Sequence, residues 1–243
     1  MRWRNAAVVM LGFGMLLLRP GMSPAAARDP DYETTYERLS PELLLDNPRV
    51  RVQKFSLPPG AATGRHTHTG DALLVIIKGG VLTDASSGRS VLWHDGRVAW
   101  LAASAPPDAG ARNAGNTPIE LIWVAIKPWP PPPGKAAADA DLHLNYPNIP
   151  GEDLFENDLI VVQRFSVPPG QWEGVHAHRP NMLYIHVKGG QWSTRTYSTP
   201  EHAYDPSPDG EVGWMDPFPL NAGHESRNAG TEPIDLIWIT LKR

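Results

Sequence analysis

Two His-x-His pairs, His66/His68 and His176/His178, have a spacing that suits a metal site. Side chains two residues apart on a β-strand point to the same face, because their directions alternate along the strand. Two imidazoles on one face supply part of a ligand set, and a catalytic ion commonly has three protein ligands. The chemistry of each pair therefore depends on whether the chain supplies a third ligand.

A third histidine, His224, is available to the second pair. When the two halves of the chain are aligned on Arg112 and Arg227, the residue opposite His224 is Ala109. A shift of the gap in this loop would bring Asp108 near that position, so a carboxylate substitute is an open alternative. His224 is therefore a candidate third ligand for His176 and His178 that the first half lacks.

The first pair, His66 and His68, has no third histidine at the matching position. Asp71, Asp108 or His94 would have to complete a site there, and His94 lies in a turn-like stretch, Trp-His-Asp-Gly. Two imidazoles alone bind a metal poorly. The sequence therefore predicts a possible weak second site at His66 and His68, with a structural role for the first half as the favoured interpretation.

Three neutral imidazoles predict a divalent transition metal, with Fe, Zn, Cu and Ni as candidates. Imidazole suits these ions, whereas Mn prefers oxygen donors. With three protein ligands, open positions remain for water or substrate, which is what a catalytic metal requires. The alternative is a relic site whose histidines only form hydrogen bonds.

Tyr184 and His186 share a predicted strand with Met182 and have the same parity, so both could face the same cavity. At ~3.3 Å per residue, His186 lies about 13 Å along the strand from Met182, too far to bind the same ion. Tyr184 is a candidate for substrate contact and His186 for proton transfer, against a structural role for each. Trp172 and Trp192 have no aromatic counterpart in the first half, so they either line a pocket or fill the core.

The elements that must position these residues occur twice. The segment Val-Gln-Lys-Phe-Ser-Leu-Pro-Pro-Gly at residues 52–60 is matched by Val-Gln-Arg-Phe-Ser-Val-Pro-Pro-Gly at 162–170, an offset of 110. Later segments, such as Arg-Asn-Ala-Gly at 112–115 and 227–230, match at an offset of 115. Such dense similarity indicates two copies of one fold, with five extra residues in the second copy between 198 and 208.

Each copy predicts short strands that end at turns. Residues 50–57, 73–77 and 119–126, together with 160–167, 182–187 and 234–241, are apolar or alternating and rich in β-branched residues. The one helical feature that we expect is a single turn near residues 41–45. The pattern predicts an all-β protein of two small barrels or jelly rolls.

The first 27 residues have the layout of a signal peptide: a basic start, a short apolar stretch and small residues before the cleavage position. An uncleaved anchor is the alternative, although the thirteen apolar residues 6–18 are fewer than the ~20 that span a bilayer. We therefore expect a periplasmic or secreted protein without stable membrane insertion. The expected domains are a barrel at 28–127, a proline-rich linker at 128–141 and a second barrel at 142–243.

The net charge of the chain limits the classes of partner that we expect. Loss of residues 1–27 would remove three arginines and leave 19 basic and 26 acidic residues, a formal charge of −7. Such a surface does not suit nucleic acid. The expected partner is a small-molecule ligand or substrate, and the sequence leaves the oligomeric state open.

The motif around the second pair resembles that of the cupin superfamily. Gly170 precedes His176 by five intervening residues, His178 follows, and the next strand ends at Gly189. A second motif is similar from Gly213 to His224 and Asn228, so the resemblance implies a three-histidine metal site in the second half, formed by His176, His178 and His224. The first copy matches the first motif as well, so the chain resembles a bicupin, with two tandem cupin-type jelly-roll barrels. This fold hosts many unrelated activities.

The departures from the cupin pattern bear on function. The glutamate that follows the histidine pair in the full cupin ligand set falls at Met182 in the second copy and at Ala72 in the first. Its absence argues against a manganese oxalate-decarboxylase type of site. The site resembles that of three-histidine cupins, some of which are iron dioxygenases. The resemblance thus implies a metal-dependent oxygenase acting on a small organic substrate, and the alternative is a non-catalytic ligand- or metal-binding protein of the cell envelope.

Overall fold

The computed structural model describes residues 32, 36, 39–64, 66, 70–103, 109–128 and 142–242. The predicted signal peptide at 1–27, His68, Asp108 and residues 129–141 of the predicted linker lie outside the described residues. Within these ranges, no helix has the length and apolar character needed to cross a membrane.

In the described part of the first copy, eight strands follow one another. They are β1 (Glu42–Asp46), β2 (Val50–Leu57), β3 (Ala72–Lys78), β4 (Gly80–Asp84), β5 (Ser90–Trp93), β6 (Val98–Leu101), β7 (Ala111–Asn113) and β8 (Ile119–Ile126). The second copy repeats them as β9 (Glu152–Glu156), β10 (Ile160–Val167), β11 (Met182–Lys188), β12 (Trp192–Arg195), β13 (His202–Ala203), β14 (Val212–Met215), β15 (Glu225–Asn228) and β16 (Ile234–Leu241).

Each copy forms one five-stranded and one three-stranded sheet with the same strand order. The larger sheets run β1-β2-β8-β3-β6 and β9-β10-β16-β11-β14, and the smaller ones run β5-β4-β7 and β13-β12-β15. The paired strands are antiparallel throughout. The prediction of an all-β chain of two jelly-roll barrels is confirmed.

The strand predictions agree closely with the structure, and one local prediction is wrong. The expected helical turn near residues 41–45 is strand β1, which pairs with β2 from Glu42 opposite Lys54 to Asp46 opposite Arg51. The leucine run 43–45 is compatible with either state on its own. Hydrogen bonding to the edge strand β2 stabilises the extended conformation, because tertiary contacts override a weak local preference.

The repeat also includes a tyrosine ahead of each barrel. Tyr36 packs edge-on against Phe55, with ring centroids 4.8 Å apart, and against His66 at 4.4 Å. At an offset of 110, Tyr146 packs against Phe165 at 4.4 Å and against His176 at 4.6 Å. Each tyrosine therefore closes the barrel that follows it in sequence.

The larger sheets of the two copies share one hydrophobic core, within a compact unit that spans Asp31–Arg243. Val52 and Leu73 from the first copy lie in the same buried cluster as Val162 and Leu183 from the second. Trp100 of β6 stacks on Phe155 of β9, with centroids 5.5 Å apart and planes within 18°. The barrels are therefore joined through packed side chains as well as through the chain between them.

Candidate metal centre

Backbone pairing brings the distant histidines together. Trp172 forms an isolated bridge with Arg227, and the N–H of His176 donates to the carbonyl of His224 at 3.0 Å. His178 forms a second bridge with Phe218. The His-x-His segment is thus held between two neighbouring stretches by isolated bridges, and not within a continuous strand as the spacing predicted. The expected convergence of its two side chains is nevertheless present.

The three predicted histidines form a compact cluster. One ligand atom from each of His176, His178 and His224 lies within 4.8 Å of the others, and they are the one such group of potential ligands among the described residues. The Nε2 atoms of His176 and His178 are 3.0 Å apart. Two nitrogens bound to one ion at ~2.1 Å would be about 3.0 Å apart at right angles and ~3.4 Å apart in a tetrahedral site, so this separation is compatible with two ligands of one ion.

The hydrogen bonds of His176 show which nitrogen faces the cluster. Its Nδ1 lies 2.8 Å from the carbonyl oxygen of Gly174, which can only accept, so Nδ1 carries the proton. Nε2 of His176 then presents a lone pair towards His178. This is the usual arrangement of a metal-binding imidazole, in which the outer N–H is fixed by a backbone carbonyl.

Burial keeps the imidazoles neutral. Desolvation lowers the pKa of His176 to about 4 and that of His178 to about 3, and it also lowers the pKa of His224. His176 and His178 are 2% and 4% exposed, whereas His224 is half-buried. At neutral pH His176 and His178 are therefore neutral, and each ring has one unprotonated nitrogen that could bind a metal ion.

An acid that the sequence interpretation missed stands beside this cluster. Glu173 is 2% exposed, and its Oε2 atom lies 3.9 Å from Nε2 of His176. It interacts with the hydroxyl of Tyr146 and the backbone N–H of Ser226, both neutral, and burial raises its pKa to about 8. A buried carboxyl group with neutral partners is expensive to ionise unless a cation lies nearby.

Glu173 escaped notice because residues three apart on a strand point to opposite faces. Gly174 breaks that alternation with a φ of +86°, a left-handed conformation that turns the chain between Glu173 and His176. A comparison of the two copies could have identified Glu173 as a residue specific to the second copy. At an offset of 110 its counterpart is Thr63, whose hydroxyl accepts a hydrogen bond from the backbone N–H of Ala111 at 2.9 Å. The acid occurs in the copy that has the third histidine.

The donors of the second copy fit a divalent metal. They offer neutral imidazoles whose ring nitrogens converge, and Nδ1 of His178 is a buried atom without a hydrogen-bond partner in the described part of the chain. His224 Nδ1 lies 3.4 Å from the hydroxyl of Thr194. This hydrogen bond is weak and involves only one of the two ring nitrogens. Imidazole sites of this kind suit Fe, Zn, Cu or Ni.

The strand β11 places Tyr184 and His186 beside one another, with ring centroids 5.2 Å apart. Trp238 contacts both Tyr184, at 5.5 Å, and His178, at 5.1 Å. Tyr184 is thus one aromatic ring away from a predicted ligand. Met182, two residues before Tyr184 on the same strand, is fully buried in an apolar cluster. This burial agrees with the prediction that the position of the cupin glutamate supplies no carboxylate ligand here.

His186 has partners of its own. Trp192 donates its indole N–H to Nε2 of His186 at 3.1 Å, and Nδ1 lies 3.5 Å from the carboxylate of Glu211. Because Nε2 accepts, Nδ1 carries the proton and faces the acid. The role of Trp192 is thus to donate a hydrogen bond to His186. Trp172 instead lies under the guanidinium groups of Arg195 and Arg227, at 4.0 and 5.2 Å from its ring.

The Tyr184 ring lies over Gly213, its partner across β11 and β14. A Cβ at Gly213 would lie 2.3 Å from the ring, so we expect Gly213→Ala to displace Tyr184 and to destabilise the protein by about 1–3 kcal/mol in urea unfolding. In the first copy the same pair is Leu74 opposite Ala99. The double variant Tyr184→Leu/Gly213→Ala should therefore recover stability; equal losses in both variants would contradict this packing account.

The first copy lacks this assembly among its described residues. His66 is half-buried, with Nδ1 3.2 Å from the carbonyl of Gly64, and Ala109 occupies the position of His224. Asp71 accepts the backbone N–H of Ala103 at 2.9 Å, and His94 is exposed. The weak second site at His66 and His68 stays a prediction, since His68 lies outside the described residues.

Comparison with known proteins identifies the fold. No protein-family model matches the sequence, and no curated protein sequence is similar to it. Among solved structures, the chain is similar to a salicylate 1,2-dioxygenase from Pseudaminobacter salicylatoxidans, with 9% identity, a TM-score of 0.53 and coverage of 85% of this chain and 77% of that one. An oxalate decarboxylase from Lactobacillus farciminis, in a formate complex, has 14% identity and a TM-score of 0.52, over 88% and 84%.

A third similar structure is a cupin 2 conserved barrel domain protein from Leptotrichia buccalis, with 14% identity, a TM-score of 0.49 and coverage of 86% and 92%. At these identities the likeness shows the fold alone. The resemblance to cupins that the motifs indicated is confirmed: the chain has the cupin fold in two copies, with a histidine cluster in the second.

Proposed function

We propose that the second barrel binds one divalent transition metal through His176, His178 and His224, and that the protein is a metal-dependent oxygenase of a small organic substrate. The observation that carries the proposal is the convergence of three neutral imidazoles, two of them buried, with 3.0 Å between two ligand nitrogens. Such an ion would polarise a bound oxygen donor or activate O₂ or water. The similarity to a salicylate dioxygenase supports the oxygenase class by analogy of fold.

The side chains around the cluster favour an organic ligand. Phe218 lies against His224, with ring centroids 4.8 Å apart, and Trp238 lies against His178. Leu220 and Tyr197 are 60% and 75% exposed, and Tyr197 packs over Gly223, the residue before His224. Aromatic and exposed apolar side chains near a few polar groups are a composition typical of small-molecule sites. Tyr184 and its neighbour His186 stay the predicted candidates for substrate contact and proton transfer, and Trp238 lies between Tyr184 and His178.

The expected setting of this activity is the periplasm or the extracellular space, on the basis of the predicted signal peptide. A metal acquired there would be one that imidazoles bind well, such as Fe, Cu, Zn or Ni. The other candidate function is non-catalytic ligand or metal binding in the cell envelope. Its support is that His186, the proposed proton carrier, is hydrogen-bonded through Nε2 to Trp192 and not to a member of the histidine cluster.

The test is to purify the protein after export and to measure its metal content together with O₂ consumption on small aromatic, thiol and diketone substrates. We expect about one ion per chain and metal-dependent O₂ consumption that a chelator removes. Protein without metal, which also takes up none on reconstitution, would overturn the proposal. Stoichiometric metal without turnover of any substrate would favour the binding function instead.

A further inference from the structure

The three-histidine cluster and its neighbour Glu173 together make a ligand set that differs from the one expected from the motifs. In the cupin pattern a carboxylate follows the histidine pair on the next strand, and that position is Met182, in an apolar cluster. Glu173 precedes the pair instead. We propose that Glu173 is the fourth protein ligand of the metal site and that it extends the ions that the site accepts to those, such as Mn²⁺, that prefer oxygen donors.

The direction from which Glu173 approaches carries the proposal. A carboxylate that only orients a metal-binding imidazole accepts a hydrogen bond from the ring nitrogen that faces away from the metal. In His176 that nitrogen, Nδ1, is already held by the carbonyl of Gly174 at 2.8 Å. Oε2 of Glu173 lies instead 3.9 Å from Nε2, the nitrogen that faces the other histidines. The carboxylate is therefore on the side of the ring where an ion would lie.

The distance is compatible with a shared ion. Two donor atoms that are each about 2.0–2.2 Å from one ion are at most ~4.3 Å apart. The Glu173–His176 separation of 3.9 Å is within that limit. Nε2 of His178 lies 3.0 Å from the same nitrogen of His176. The ligand atoms that lie within 4.8 Å of one another are those of the three histidines, so binding to the same ion requires the Glu173 side chain to move towards His178 and His224.

Hydrogen bonds with neighbouring residues fix the position of Glu173. Tyr146 interacts with it while accepting the indole N–H of Trp238 at 2.8 Å. The backbone N–H of Glu173 donates to the carbonyl of Ser226 at 2.9 Å, two residues from His224. The same backbone contact therefore fixes the positions of the carboxylate and of the third histidine relative to each other.

The duplication provides an internal comparison. The first copy has Thr63 where the second has Glu173, and Ala109 where the second has His224. The first copy keeps the equivalent tyrosine, Tyr36, against its histidine. The loss or gain of both potential ligands together is expected if they serve one ion, whereas a carboxylate needed only for packing would have no reason to accompany the histidine.

The inference rests on the proposed metal site and is tested by ion selectivity. The affinities of metal-free wild type and Glu173→Gln for Mn²⁺ and Zn²⁺ would be measured by competition with a chelating dye. Because carboxylate suits Mn²⁺ and imidazole suits Zn²⁺, we expect Glu173→Gln to weaken Mn²⁺ binding about 100-fold, as for the loss of one ligand, with a clearly smaller effect on Zn²⁺. Glu173→Asp, which keeps the charge, should retain more of the Mn²⁺ affinity than Glu173→Gln.

Glu211→Gln is the matched control, since Glu211 is an acid of the same barrel that faces His186. It should leave both affinities unchanged. An equal loss for the two ions in Glu173→Gln would indicate a structural role and overturn the inference, as would no loss at all. Wild type that binds neither ion would instead overturn the proposed metal site, so the two failures are distinguishable.

Discussion

Replacing His224 with alanine is expected to remove tight metal binding from the protein. The change gives the second copy the residue of the first, Ala109, and leaves two imidazoles. A four-ligand zinc site is worth about 10–16 kcal/mol, or ~3 kcal/mol per ligand, so the loss of one ligand should weaken binding about 100-fold or more. Competition titration of the metal-free protein with Zn²⁺ measures this effect. Because His224 is half-buried, the fold should survive the substitution.

The matched control for this substitution is His66→Ala. His66 occupies the position of His176 in the first copy, beside Tyr36 at 4.4 Å. If the second barrel holds the working site, His66→Ala should leave the tight affinity unchanged. A large loss in His66→Ala together with a small one in His224→Ala would place the metal in the first barrel and contradict the assignment.

Replacing Leu183 with alanine is expected to destabilise the whole chain. Leu183 is fully buried in the core that the two barrels share, and truncation of such a residue costs about 2–5 kcal/mol. Its counterpart in the first copy, Leu73, is also fully buried in that core, so Leu73→Ala should cost a similar amount. Urea unfolding, followed by tryptophan fluorescence, measures both.

The shared core also predicts how the unfolding curves should look. Both variants should keep a single transition whose midpoint shifts, because neither barrel can open without exposing the other's apolar face. Leu43→Ala, at a side chain that is 52% exposed, should change the free energy of unfolding by less than about 0.5 kcal/mol. Two separate transitions, with only one moved by Leu73→Ala, would contradict a common core.

Most of the fold was predictable from the sequence because the duplication repeats each signal twice. Strands such as β2 and β10 end at the same Pro-Pro-Gly turn, and their bounds agree with the predicted ranges. Strand β1 was not predictable in this way. Its conformation depends on pairing with β2, a contact that no local pattern encodes.

The candidate site was predictable to the extent that its ligands follow strand parity or the repeat. His176 and His178 were found on those grounds and His224 from the resemblance to the second cupin motif, and the structure brings the three together. Glu173 was not, because the left-handed Gly174 reverses the parity on which the interpretation relied. Parity also placed His186 towards the cavity, whereas its partners, Trp192 and Glu211, depend on side-chain packing that the strand pattern does not contain.

The core that joins the two larger sheets has an evolutionary consequence. A single ancestral barrel of this kind would have needed a second copy of itself to cover the same apolar face, so it would have had two identical sites per dimer. Once both halves lie in one chain, selection no longer acts on them equally. One half is free to lose its ligands, provided that it keeps the side chains, such as Val52 and Leu73, that cover the other. The first barrel is retained on this view as a permanently attached half of a dimer, and the proposed metal site lies in its partner.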